Sequence, residues 1–168
     1  LTSLGLTYLF QYNDLDYYVK GKRAFNSTFR YNMGEIAYHN LWLRNVRFGI
    51  GTRIELYNYE KILYNEDYVG IKPHNEHFFT YFANLNYDTY DKAYFPSKGI
   101  MFEGAYTFYT DNFTEYKNRP PFSSISGAFA GVIPISNRFS ILPSIYGRVL
   151  IGRNIPLCKM NVMGGDIM

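Results

Sequence analysis

Cysteine and tryptophan are almost missing from this sequence: each occurs once in 168 residues. A single cysteine closes no internal disulfide, so a disulfide-stapled scaffold is excluded. Charge is scarce and nearly balanced, with 17 Lys and Arg against 14 Asp and Glu, a net of +3. No basic run interrupts the chain, and a nucleic-acid partner is not expected. No stretch of about 18 apolar residues appears, so no membrane-spanning helix is expected. Leu1 to Phe10 lacks the basic start and cleavage site of a signal peptide. The chain opens without Met, and we expect it to be part of something longer. Helical patterning is also lacking: no window carries an i, i+3, i+4, i+7 apolar stripe with caps.

What is abundant is aromatic. The chain holds 18 Tyr and 14 Phe, and aromatics make up 20% of it. Disordered chains are poor in aromatics and rich in charge, so disorder is excluded. The mean hydropathy is −0.24, which taken alone describes a soluble protein. A membrane β-barrel gives the same average, because only alternate residues meet lipid.

Alternation of period two dominates. Val46, Phe48, Ile50, Thr52, Ile54 and Leu56 alternate with Arg47, Gly49, Gly51, Arg53 and Glu55. Successive strand side chains point to opposite faces, so all the charge of this segment falls on one face. Similar alternation marks strands at about 2–13, 23–38, 44–59, 77–90, 99–112, 121–133 and 139–151. In 23–38 the apolar set is Phe25, Phe29, Tyr31 and Met33, with Arg30 opposite. The 121–133 segment alternates poorly. Most of these strands exceed the usual 5–6 residues of a globular strand. Connections alternate in length: 13–22, 60–76 and 112–120 are long, whereas 39–43, 91–98 and 134–138 are shorter. That asymmetry is the one an outer-membrane barrel has, with short turns inside and long loops outside. Tyr and Phe near strand ends, such as Tyr57, Tyr59, Tyr90 and Phe95, suit interfacial girdles. A soluble sandwich also hides apolar faces, but not with strands this long or with mid-strand Arg and Glu. The fold expected is therefore all-β: an antiparallel transmembrane barrel, with Arg47, Arg53, Glu55, Glu103 and Arg148 facing the lumen. Seven strands cannot close, since lipid demands that every backbone polar group be paired.

The stretch Tyr87 to Phe102 ends one strand in Asp88, turns through Tyr94-Phe95-Pro96-Ser97-Lys98-Gly99, and begins another strand. Pro96 brings no N–H to a ladder, and Gly99 relieves strain where the next strand starts. Two strands later comes Cys158-Lys159-Met160-Asn161-Val162-Met163-Gly164-Gly165-Asp166. This order resembles the bacterial surface-antigen superfamily, the barrels of outer-membrane assembly factors and their relatives. Phe95, Pro96 and Gly99 match its turn motif, and Gly164 and Gly165 match a loop that folds into the lumen. The resemblance implies a sixteen-stranded barrel, of which residues 1–168 would be strands 5 to 11 and the start of the next extracellular loop. Within the superfamily, Met160 to Asp166 looks most like the barrel fused behind patatin-like phospholipases. The implied partners are outer-membrane lipids, the remaining strands, and an upstream hydrolase or periplasmic domain.

No catalytic signature lies in the chain itself. Ser126-Gly127 lacks the first Gly of a Gly-x-Ser-x-Gly elbow, and Gly165-Asp166 reverses an Asp-Gly element. His74 and His77 stand three apart in a loop, but a metal site needs further ligands. Cys158 is a lone thiol. No cofactor is expected. Three functions remain open: an anchoring barrel for a hydrolase, an assembly or secretion factor, and a porin-like channel.

Overall fold

Long alternating runs with few breakers build long ladders. The computed structural model describes residues 2–65, 70, 72–110, 120–136 and 139–160. Seven strands form one antiparallel sheet in the order β1-β2-β3-β4-β5-β6-β9. They are β1 (Thr2–Val19), β2 (Lys22–Leu43), β3 (Val46–Tyr64), β4 (Glu76–Asp88), β5 (Ile100–Thr110), β6 (Phe122–Gly131) and β9 (Ser144–Ile151). Every neighbour in this sheet is also a neighbour in sequence, apart from a small hairpin, β7 (Ile133–Ser136) with β8 (Phe139–Ile141). The sheet curls into a half-barrel with β1 and β9 at its two edges.

The strands expected from alternation are present, but β2 runs through the connection expected at 39–43 to a turn at Arg44–Asn45, and β3 runs to Tyr64 into the connection expected at 60–76. Three further differences bear on the site. Residues 13–22 are not a loop. β1 and β2 run on to a two-residue turn in which Lys20 and Gly21 both have positive φ, 50° and 76°. Two such residues make the primed turn whose twist matches a hairpin. The polar residues that read as loop are zipped across the ladder: Thr28 donates to Asp14 at 2.6 Å and Asn26 to Asp16 at 3.0 Å. Second, the 139–151 strand is broken. Phe139–Ile141 pairs with β7, and only Ser144–Ile151 joins the sheet. The connection expected as a bare turn at 134–138 is therefore that hairpin, with 137 and 138 outside the described residues. Pro143 has no N–H to extend the β9 ladder, which is where the strand divides.

The third difference is phase. Register carries one face across the sheet: Leu4, Tyr38, Ile50, Ala83, Tyr106, Ile125 and Val149 occupy one row. Ile36 and Tyr38 fix the phase of β2, so Arg30 and Asn32 lie on this outer face and Phe29, Tyr31 and Met33 on the inner one. That reverses the expectation for Arg30. Its charge is met by Glu60, the extra residue of a bulge opposite Thr28 and Phe29, which also accepts from Tyr12.

The outer face is apolar and open, including Leu6, Ile36, Ile54, Phe102, Ile145 and Val149. The buried cluster lies on the inner face: Tyr57, Phe78, Tyr109 and Phe122, with Ile155 and Cys158 packed on it. Gly104, Gly127 and Gly147 fill one outer row on three adjacent strands.

Candidate lumenal docking site

The inner face is concave. A cavity of about 580 Å³ is lined from β1 to β9, by Gln11, Glu35, Arg53, Thr107, Ser124 and Arg148 among others. Arg47, Arg53, Glu55, Glu103 and Arg148 all occupy inner-face positions of the register. Their surroundings differ. Arg47 is exposed, Glu103 accepts from Asn86 at 2.9 Å, and Arg148 donates to Ser124 at 3.0 Å. Arg53 and Glu55 alone belong to a dense network.

That network centres on the Glu55 carboxylate, 2% exposed. Tyr31 donates to its Oε1 at 2.8 Å and Thr80 to its Oε2 at 3.3 Å. Arg53 lies 3.8 Å away, while its guanidinium donates twice to Glu35 Oε2, at 2.6 and 2.8 Å. The closest cation is Lys159, whose Nζ donates to Glu55 Oε2 at 2.7 Å. Lys159 comes from the segment after β9, where Leu157–Lys159 makes a single 3₁₀ turn. Its ammonium sits over three rings, 5.1 Å from the centroid of Tyr57, 5.4 Å from Phe78 and 4.7 Å from Tyr109. A buried ammonium is tolerated only with a partner charge and further contacts; here the carboxylate supplies the first and the ring faces the second.

The chemistry of this site is holding. Tyr31, Arg53 and Thr80, from β2, β3 and β4, hold the Glu55 carboxylate, which grips one lysine and fixes its segment against the inner wall. Sequence reading places Glu55 and Arg53 on the correct face but misses Lys159. The available signal was a lone cation in an otherwise apolar run, Ile155-Pro156-Leu157-Cys158-Lys159-Met160. Gly164 and Gly165 lie outside the described residues.

The turn motif is at the opposite end from the Lys20-Gly21 turn. Phe95 has φ 51° and projects almost fully, 94% exposed beside Tyr94 at 84%. Gly99 has φ 115°, and a Cβ there would stand 2.4 Å from the Thr89 carbonyl oxygen, so glycine is required. Asp91 ties the turn, accepting from Ser97 and Lys98 amides at 2.8 and 3.2 Å and from the Ser97 hydroxyl at 2.5 Å. His74 bonds Glu76 at 2.8 Å and the Lys72 carbonyl at 3.2 Å. Among the described residues no three His, Cys, Asp or Glu side chains are grouped to hold a metal.

A family model described as the OMP85 superfamily matches residues 10–165. No curated protein and no solved structure matches the chain.

Proposed function

The chain belongs to the OMP85 superfamily, and from that premise we propose that it forms the wall of a lumen-occupied outer-membrane barrel anchoring a patatin-like phospholipase domain. An outer-membrane barrel segment follows from family and fold together. Its partners are therefore membrane lipids and the further strands that close the sheet. The observation that supports an occupied lumen is Lys159 on Glu55 at 2.7 Å. A segment clamped onto the inner wall narrows the lumen, which counts against a porin-like channel. The resemblance of Met160 to Asp166 to patatin-linked barrels supports the hydrolase over an assembly factor. On this reading the inner-face charges are lumenal, and Phe95, Pro96 and Gly99 make a periplasmic turn.

The test uses the full-length protein. Activity-based labelling with a fluorophosphonate, together with phospholipid hydrolysis in mixed micelles, should reveal a reactive serine upstream of Leu1. Absence of both, with periplasmic βααββ modules in its place, would transfer the barrel to an assembly or secretion factor. Single-channel recordings showing a wide, steady conductance would instead restore the porin reading.

A further inference from the structure

Hairpin β7–β8 presents open apolar side chains, Ile135 as the extra residue of a bulge. Ile133, Ile135, Phe139 and Ile141 are each about half exposed, between 47% and 59%. Counted along the strands it lies past the lower end of the apolar run on β3, where the turn Arg44–Asn45 precedes Val46. That position reads as outside the membrane, yet its composition does not.

The register resolves the conflict. Leu4, Ile50 and Ile125 share a ladder row. Leu4 is near the bottom of the β1 run, which extends up to Tyr12. Ile50 is in the middle of the β3 run, Val46 to Leu56. Ile125 is at the top of its own run, which continues down through Phe129 and Ile133 to Ile135. Outside β2, whose upper outer positions are Arg30 and Asn32, the apolar band thus moves down the rows from β1 through β3 to β6 and on into β7. A slip of roughly one to two residues per strand, at ~3.3 Å per residue and ~4.8 Å between strands, corresponds to strands tilted by roughly 35–55°. Barrel strands in membranes tilt by about 35–45°. A horizontal slab cut through tilted strands crosses the ladder diagonally, and the diagonal reaches the hairpin.

The backbone agrees. Where β6 and β9 give way to the hairpin, Gly131 N–H donates to Pro143 at 3.2 Å and Val132 N–H to Gly99 at 3.0 Å. Pro134 and Pro143 have no N–H to leave bare. Bare donors are costly in hydrocarbon, and this junction limits them.

We propose that β7–β8 is an intramembrane extension of the barrel wall, its outer face contacted by acyl chains of the leaflet at the turn end. This rests on the barrel reading above. It continues the lipid-facing band and is not a periplasmic platform for a protein partner.

The test is nitroxide scanning of the full-length protein in phospholipid bilayers, with native cysteines replaced. Labels go singly at Ile135, Phe139 and Ile141, at Ile50 as a mid-band reference, and at Lys20 as an aqueous reference. Oxygen and a polar nickel chelate serve as relaxation probes, and folding is checked by heat-modifiable gel migration. At least two hairpin labels should match Ile50, with high oxygen and low chelate accessibility. Chelate accessibility close to that of Lys20 would overturn the proposal while leaving the barrel intact. Low accessibility to both probes would also overturn it, in favour of a covering protein. Chelate access at Ile50 itself would remove the barrel reading and the hairpin proposal with it.

Discussion

Replacing Lys159 or Glu55 should release the segment after β9 from the inner wall, and the two replacements should be unequal and coupled. Glu55→Gln leaves the Lys159 ammonium among Tyr57, Phe78 and Tyr109 without a carboxylate. Removing one partner of a buried pair costs about 3–5 kcal/mol, because the other charge is stranded. Lys159→Met keeps most of the apolar stem, and Glu55 retains Tyr31, Thr80 and Arg53. Its cost should be smaller, about 1–3 kcal/mol. The readout is local: amide hydrogen exchange of residues 152–160 in the folded protein. A change of about 3 kcal/mol raises the opening equilibrium, and so the exchange rate, roughly 150-fold. In the double variant the stranded ammonium is gone, so its exchange should resemble Lys159→Met alone. The coupling is then as large as the Glu55→Gln cost itself, about 3 kcal/mol or more, because that cost is absent from the double variant. Additive effects, or exchange unchanged in Glu55→Gln, would refute the clamp.

The Asp91 turn should be acid-sensitive. The hydrogen bonds it accepts, that from the Ser97 hydroxyl first, draw its carboxyl from 3.8 to about 2. A depressed acid stabilises the turn fully above its ordinary value and loses that contribution as pH falls through about 2. Amide exchange at Ser97 and Lys98, corrected for intrinsic rates, should rise across that window, and Asp91→Asn should abolish the pH response. Gly99→Ala should destabilise the turn by more than about 1 kcal/mol, since both the positive φ and the Thr89 carbonyl oppose a Cβ. Gly131→Ala is the control, with its Cβ in ordinary contact at 3.5 Å from Ile100. Chemical denaturation of the detergent-folded barrel compares them, and equal midpoints would contradict the argument.

Alternation makes the sheet legible because a half-wetted strand writes its two faces directly into sequence. Val46 to Leu56 is the clearest case: Ile50, Ile54 and Leu56 are exposed outside and Glu55 is buried inside. The phase of β2 was not legible, because Phe29, Tyr31 and Met33 look like lipid contacts. They face inward because the inner wall is itself aromatic around the lysine clamp. The 13–22 segment misleads for the opposite reason: polar residues beyond the apolar band have no periodic signal, though their backbone continues the ladder. Lys159 is brought to Glu55 by a chain reversal across the whole sheet, a contact 104 residues apart. No local pattern encodes it.

The two-residue turn at Lys20-Gly21 has a consequence at the surface. β1 and β2 rise beyond Tyr12 as a hairpin, paired with β3 along Phe25–Phe29 and closed by two residues, so this hairpin offers proteases little loose chain. Its outer chemistry is composite: Tyr12, Arg30 and Glu60 come from three strands and meet only when folded. An antibody against that ribbon would recognise shape, not a stretch of sequence, and would lose its target on denaturation. Peptides copied from residues 13–22 would make poor mimics of it.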